Sequence, residues 1–430
     1  MTEMQNPRML AFELLQKAEK SKQYSNIALD HALEECNLSD VDKKLASILF
    51  YGVTERKITL DHRINELSSR SLGELDDKVL CALRIGLYQL IYLDRIPPHA
   101  AINETVSLCP KKSAGFVNAI LRSHTRTPMS APKSDDPAKQ LSLSYSVCPA
   151  LAQRFIDDFG IDEAGNILKG FDHNAKTTLR VNTIKTNREK LLSAIEDSDC
   201  TKNSPVGIFA GGSVRSLYGF DDGLFFVQDE ASQICVEVLG ATEGDLMLDI
   251  CSCPGSKSFG SAIKMNNKGK IIAFDLHENK LSLVRSGAER LGIDIIETRA
   301  ADGRNFLPEF ELSADRVLCD VPCSGFGVLA KKPELRYKDP AESERLPEIQ
   351  RAILENASRY VKCGGVLVYS TCTLLPSENE KNVLAFLGEH PEFELTPWSV
   401  GDISAELGYL TLFPHIHSTD GFFIAKLTRK

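Results

Sequence analysis

Two cysteines stand where a thiol could react rather than pack. Cys323 lies in Asp320-Val321-Pro322-Cys323-Ser324-Gly325-Phe326-Gly327, and Cys372 lies 49 residues further on in Tyr369-Ser370-Thr371-Cys372-Thr373. Each follows an apolar run that reads as a strand, 316–320 and 366–371, and each opens a loop of Pro, Gly, Ser or Thr. A lone cysteine at a strand end is usually a small buried hydrophobe. Two at adjacent strand ends, with Asp320 beside them, suit covalent catalysis: a thiolate, an acid, and a second thiol to help undo the bond. One reaction that uses such a set is addition to a cytosine ring. C5 of that ring is a poor nucleophile, and a thiolate added at C6 converts the ring to an enamine whose C5 accepts a methyl group. An acid hydrogen-bonding N3 stabilises the charge that builds on the ring, a task suited to Asp320. The C5 proton must then leave and the thiolate be expelled, which gives the second cysteine a purpose.

A donor site precedes the cysteines. Leu246-Met247-Leu248-Asp249-Ile250 reads as a strand running into Cys251, Ser252, Cys253, Pro254, Gly255, Ser256 and Lys257, with a helix to follow. In doubly wound folds such a turn holds nucleotide-like ligands, because bare backbone and a helix N-terminus can approach them there. The next strand ends on Asp275, placed to accept both ribose hydroxyls, and the one after closes on Asp302, placed for a base or an amino group. Neither G-x4-G-K-[ST] nor G-x-G-x2-G occurs, which argues against ATP and NAD. S-adenosylmethionine carries no phosphate and needs no such cradle.

The elements that must position these groups fall into blocks. Residues 1–125 read as a helical domain, with apolar positions at helical spacing in 9–15, 45–51 and 79–90, a break at Pro97-Pro98 and a further helix at 115–122. Residues 126–139, rich in Pro, Ser and charge, read as a linker. Residues 140–225 read as a small α/β connector with a helix at 150–159, a strand at 178–182 and a helix from 188 to 195. Residues 226–430 read as the catalytic domain, with strands at 246–250, 270–275, 294–298, 316–320 and 366–371 alternating with helices to the end. Such alternation predicts a parallel sheet with right-handed crossovers.

Composition limits the alternatives. A chain of 430 residues, 43% hydrophobic and 25% charged, is expected to fold as two or three globular domains. No apolar run is long enough to span a bilayer, and Met1-Thr2-Glu3-Met4-Gln5-Asn6 does not begin like a secretory signal, so a cytoplasmic location without membrane contact is expected. The 12 cysteines are then reduced thiols. Cys251-x-Cys253 and Cys319-x3-Cys323 lack zinc-site spacing, so no metal is expected. A net charge of −9 argues against non-specific coating of nucleic acid. Two basic segments remain as candidate phosphate contacts: Lys176, Arg180, Lys185, Arg188 and Lys190, and Lys331, Lys332, Arg336 and Lys338.

Together these residues resemble the RNA cytosine-C5 methyltransferase family. The resemblance is carried by Pro322-Cys323-Ser324-Gly325, by Thr371-Cys372 with Glu378-Asn379-Glu380, and by Val227-Gln228-Asp229-Glu230-Ala231-Ser232. Leu179-Arg180-Val181-Asn182 and Asp420-Gly421-Phe422-Phe423 add to it. The N-terminal segments Tyr51-Gly52-Val53, Leu87-Tyr88-Gln89-Leu90, Ala100-Ala101-Ile102-Asn103-Glu104 and Phe116-Val117-Asn118-Ala119-Ile120-Leu121-Arg122 are similar to the NusB-like domain fused to the bacterial members that act on 16S rRNA. The resemblance implies an α/β class I, Rossmann-like, S-adenosylmethionine-dependent methyltransferase domain behind an all-α NusB-like domain and a small α/β connector. It implies Cys372 as nucleophile, Cys323 as the release group, and cofactor contacts at 251–257, Asp275, Asp302 and Asp320. The substrate implied is 16S rRNA and not DNA. The target base must then be unstacked to reach Cys372, a monomer is the plain expectation, and the two basic segments place Arg180, Asn182, Lys331, Lys332, Arg336 and Lys338 on the RNA side.

Two departures set up tests. The cofactor loop has Ser252, Cys253 and Ser256 where the family pattern has two alanines and a glycine, and a β-carbon at 256 costs energy if that position needs positive φ. Arg336-Tyr337-Lys338 stands where many members carry a Trp. A decayed enzyme serving as an RNA-binding adaptor is the rival reading. A DNA-type enzyme, with the Pro-Cys cysteine as nucleophile, is a third.

Overall fold

The computed structural model describes residues 6–21, 26–172 and 177–430. They form two compact units, one of residues up to 168 together with 332–339, the other of 169–331 together with 340–430.

The first unit is helical. Its helices include Pro7–Ser21, Asp40–Glu55, Lys57–Leu67, Asp77–Tyr92, Pro98–Ser107 and Lys111–Arg126. Ser39 and Asp76 start two of them by accepting backbone N–H groups at Asp42 and Lys78. The apolar stripes read in the sequence turn inward, and Leu49, Ile64, Leu83, Leu87, Val117 and Leu121 share one core. Gly52 is required for close approach, because a β-carbon there would sit 2.0 Å from the Tyr88 ring. Of the stretch 126–139 read as a linker, residues 127–136 carry no helix, while the helices Lys111–Arg126 and Pro137–Tyr145 take its two ends. Pro137–Tyr145 and the helix after it, Pro149–Phe159, pack with the helical unit rather than with the connector.

The segment 332–339 joins the same unit. Arg336 is fully buried, donates to the Tyr145 carbonyl at 2.8 Å, and pairs with Glu55 at 3.3 Å. The Tyr337 hydroxyl donates to the Thr54 carbonyl at 2.6 Å. Arg336 was expected on the RNA side. Its guanidinium is consumed inside the helical unit, so that expectation is corrected.

The second unit holds two sheets. The smaller has strands β1 (Thr177–Val181), β2 (Asp199–Cys200), β3 (Gly207–Ala210) and β4 (Phe225–Val227) in the antiparallel order β2-β3-β1-β4. The larger begins with β5 (Leu246–Asp249), β6 (Lys270–Asp275), β7 (Ile296–Ala300), β8 (Ala314–Asp320) and β9 (Val361–Thr371), all parallel. After β9 the expected alternation stops. The chain makes β10 (Phe393–Leu395), a ribbon of β11 (Trp398–Val400) and β12 (Ile403–Ala405), then β13 (Tyr409–Leu412) and β14 (Phe422–Arg429). β14 runs antiparallel against β9, so the order is β10-β14-β9-β8-β5-β6-β7, with β13 on β14.

Side chains alternate across this sheet. Met247, Ala273, Leu318 and Val368 join one core with the helices Glu230–Leu239, Ser256–Lys264 and Glu278–Leu291. Leu248, Ile272, Val317 and Leu367 join another with Leu346–Ser358 and Glu380–Glu389. β5 connects onward to β6, and β8 to β9 on its other side, so the switch point lies between β5 and β8. Ligands bind there, at the carboxyl ends of the strands.

Candidate active site

β8 and β9 pair with Asp320 opposite Ser370, which brings the loops after them side by side. The Cys323 and Cys372 sulfurs lie 3.3 Å apart, both partly buried. The bond it shares with Cys372, and then burial, push the Cys323 thiol well up, so it is held protonated beside its partner. Asp320 accepts from the Ser370 hydroxyl at 2.8 Å through one oxygen and from the Lys257 ammonium at 2.6 Å through the other. Lys257 is buried, and burial opposes its charge. The negative charge of Asp320 and the hydrogen bond to it outweigh that and drive its pKa up, and the Cys372 sulfur lies within reach of the same charge. Lys257 also sits over the Phe422 ring, 5.1 Å from its centre. A fixed cation thus serves both the acid and the Cys372 sulfur.

The two cysteine loops are fastened from behind. Glu378 accepts from the Ser324 N–H at 3.0 Å and from the Gln350 side chain at 2.7 Å. Ser324 and Thr373 hydroxyls meet at 2.7 Å, and Thr371 donates to Asn379 at 2.6 Å. Gly327 N–H donates to the Cys372 carbonyl at 2.9 Å. Gly327 packs so closely on Gly421 that a β-carbon there would lie 2.0 Å from the Gly421 carbonyl oxygen. Glu378 and Asn379 were legible as part of the Thr-Cys motif. Gln350 lies mid-helix in Leu346–Ser358 and gave no signal.

The loop after β5 meets the description of a cofactor cradle. Gly255 takes φ +107°, and a β-carbon there would lie 2.6 Å from Phe259. Ser256, the residue in doubt, is the first residue of the helix Ser256–Lys264 and is absent from the positive-φ positions among the described residues. The positive φ falls on Gly255, so the serine carries none of the backbone strain set out above. The Gln228 side chain donates to the Ser256 carbonyl at 3.1 Å. Asp249 accepts from Ser258 at 2.6 Å, and burial raises its carboxyl to about 7.

Asp249 Oδ1 and Ser252 Oγ are buried short of a well-formed hydrogen bond, although the Cys251 N–H acts on the Asp249 carboxyl and the Ser252 hydroxyl on the Cys253 thiol. Such under-satisfied atoms are expected where a polar ligand completes the site. S-adenosylmethionine, with ammonium, carboxylate and hydroxyl groups and no phosphate, fits this donor set. Asp275, at the end of β6, accepts the His277 N–H at 2.9 Å and bonds Cys253, whose thiol is pushed to about 12 by burial and then by that carboxylate. Asp302 is held by Arg304 at 2.6 Å, and that hydrogen bond keeps its carboxyl below the usual range.

The RNA-side residues fare differently. Arg180 is buried, with 2% exposure, and pairs with Glu237 at 3.0 Å. Asn182 is fully buried and donates to the carbonyls of Gly223 and Leu291 at 2.9 Å each. Lys331 is bonded to Asp229 and, at 2.8 Å, to Asp420. These three join Arg336 as corrections, because each is used to hold this chain together. Lys332 is exposed, Lys338 is half-buried, and Lys176 lies outside the described residues. Among the described residues there is no cluster suited to a metal ion, and no helix long and apolar enough to cross a membrane.

Comparison with known proteins identifies the family. Residues 236–428 match the family 16S rRNA methyltransferase RsmB/F, and residues 5–126 match the NusB family. The chain is 36% identical to the probable ribosomal RNA small subunit methyltransferase B of Bacillus subtilis, over 98% of each chain. It is 34% identical to the like-named protein of Synechocystis, over 99% of this chain and 100% of that one. The crystal structure of PH0851 superposes with a TM-score of 0.80 at 27% identity, covering 99% of this chain and all of the other. That of NSun6 from Pyrococcus horikoshii with SFG, an S-adenosylmethionine analogue, gives 0.59 at 25% identity, covering 64% and 97%.

Proposed function

The chain belongs to the 16S rRNA methyltransferase RsmB/F family, whose cofactor is S-adenosylmethionine, and from that premise we propose that it methylates C5 of a cytosine in 16S rRNA through a covalent bond to Cys372. The observation that supports this best is the 3.3 Å approach of the two sulfurs beside the Lys257–Asp320 pair. Bound along 251–257 with Asp249, Asp275 and Asp302 at the strand ends, S-adenosylmethionine supplies an electrophilic methyl group.

The chain's own groups do the rest. Lys257 stabilises the Cys372 thiolate by charge, and the Cys323 S–H donates to the same sulfur. Cys372 adds to C6. Addition puts negative charge on the ring, and Asp320, positioned by Ser370 and given a proton by its Lys257 partner, donates that proton to N3 and so stabilises the adduct. After C5 is methylated, its proton passes to a solvent base, the C5–H electron pair expels the Cys372 thiolate from C6, and N3 returns its proton to Asp320. Cys323, hydrogen-bonded to the departing sulfur at 3.3 Å, assists that release.

The test incubates Cys323→Ala and Cys372→Ala proteins with unmodified 16S rRNA and S-adenosylmethionine, then runs a denaturing gel. The expected result is a persistent protein–RNA adduct for Cys323→Ala and none for Cys372→Ala. The reverse pattern exchanges the two roles and restores the DNA-type mechanism. The adaptor reading loses its motive, since Ser256 lies in a helix and leaves the loop's positive φ to Gly255.

A further inference from the structure

Lys331 lies in the loop that begins at Cys323, half-buried between acids of the same unit. Its ammonium bonds Asp229 and lies 2.8 Å from Asp420. Asp229 is the N-cap of the helix Glu230–Leu239, accepting from Ala231 N–H at 2.9 Å, and the neighbouring Gln228 holds the first residue of the cofactor helix. Asp420 precedes Gly421, whose N–H donates to the Gly327 carbonyl at 2.7 Å, while Gly327 N–H donates to the Cys372 carbonyl at 2.9 Å. One ammonium therefore closes a ring of bonds through the Cys323 loop, the Cys372 loop and the entry to β14.

We infer that Lys331 is a positioning residue: by bonding Asp229 and Asp420 together it holds the Cys323 and Cys372 loops at the sulfur-to-sulfur approach that methyl transfer uses. The link to methyl transfer rests on the function proposed above, whereas the geometric role does not. The charges that act on the cluster come from its own members, Asp229 from the helix cap, Asp420 from the entry to β14, and Lys331 between them. Burial first, and then Asp229, raise the Asp420 carboxyl, and Lys331 pulls it back. Without the ammonium, two half-buried carboxylates face each other and repel unless one is protonated. Removing Lys331 thus makes the geometry dependent on pH, with damage at high pH that eases as pH falls. A merely space-filling lysine gives no such dependence.

The experiment compares full-length Lys331→Met, Lys331→Arg and Lys331→Met/Asp420→Asn with the wild type between about pH 6 and pH 8.5, on two readouts. The first is kcat and KM for RNA methylation. The second is the rate of Cys323–Cys372 disulfide formation with a diazenedicarboxamide oxidant, which is reduced to the hydrazide as both thiols lose their protons. The disulfide is read by peptide mass, and it reports the sulfur approach whatever reaction the pair performs. Relative to wild type at each pH, Lys331→Met is expected to lose on the order of 30-fold in kcat near pH 8.5 and only a few-fold near pH 6, a size ordinary for misplaced reacting groups. KM is expected to hold within about threefold. The disulfide rate is expected to follow the same trend, and both Lys331→Arg and the double variant are expected to recover most of the loss near pH 8.5. Equal loss at every pH, loss confined to KM, or no rescue by either variant overturns the inference. If the wild type makes no 5-methylcytosine, the proposed function fails, and the disulfide rates alone still decide the role of Lys331.

Discussion

The two loops that meet at the switch point are built on opposite plans. Around the cysteines, polar atoms are spent within the protein: Ser324, Thr373, Thr371, Asn379, Gln350 and Glu378 bond one another, and Glu378 Oε1 is the one atom of that set buried without a partner. Around the cofactor loop the reverse holds. Gln228 Oε1, Asp249 Oδ1, Ser252 Oγ and Ser261 Oγ are all buried short of a well-formed hydrogen bond. An unsatisfied buried acceptor or donor costs about 1–3 kcal/mol. The difference teaches that the cysteine side is assembled before any ligand arrives, while the cofactor side is left with buried polar atoms that bound S-adenosylmethionine is expected to satisfy. Stabilisation by cofactor should therefore be felt mainly at 249–261.

The largest expected effect breaks the cysteine side outright. Cys372→Ala is expected to lower turnover by roughly 10³-fold or more with little change in melting temperature, because the thiol is part of the chemistry and not of the bonding behind it. Activity within tenfold of wild type would remove Cys372 from the reaction. Next, Glu378→Ala strands the Ser324 N–H and one of the two Gln350 amide N–H groups in a buried place, the other staying on the Pro322 carbonyl. A loss of about 1–3 kcal/mol in denaturant unfolding is expected, together with a fall in kcat that added cofactor does not restore. Recovery by saturating S-adenosylmethionine would mean that the two sides are one unit, against the contrast drawn above.

Asp249→Asn addresses one of those atoms directly. Burial raises the Asp249 carboxyl from its ordinary 3.8 to about 7 in the folded state. The destabilisation from charging it is therefore absent below about pH 4, grows through the interval, and is complete above about pH 7. Cofactor-free wild type should lose stability on raising pH across that window, and Asp249→Asn should lose less. Identical pH profiles of melting temperature would show that the carboxylate is already satisfied. The smallest effect belongs to Ser256→Gly. Because Ser256 is helical, the change should cost about 0.5–1 kcal/mol of stability through backbone entropy and leave cofactor affinity within about threefold. Tighter binding by tenfold or more would mean that the serine distorts the cradle after all.

These contrasts also mark what was legible in the sequence. Cys323, Cys372, Asp320 and the loop 251–257 could be read because turn residues and strand ends announce themselves locally. Four of the five parallel strands were foreseen with the right carboxyl ends or within one residue of them; β7 was placed two residues early. The antiparallel edge was not foreseen, since β10 to β13 are only three or four residues long and show no period. Charge misled most. Arg180, Lys331 and Arg336 read as a phosphate-facing surface, but their partners Glu237, Asp229 and Glu55 are 57, 102 and 281 residues away, a relation composition cannot show. Gln350 was invisible for the same reason.

The most direct measurement of the central claim identifies the sulfur that bonds the base. Wild-type protein, S-adenosylmethionine and 16S rRNA transcribed with 5-fluorocytidine are incubated together, so that the C5 substituent cannot leave and the covalent complex persists. The complex is digested and the modified peptide sequenced by mass spectrometry. The account predicts the nucleotide on Cys372, in the peptide spanning Tyr369-Ser370-Thr371-Cys372-Thr373. A nucleotide on Cys323, or a methylated RNA with no covalent complex at all, would contradict it.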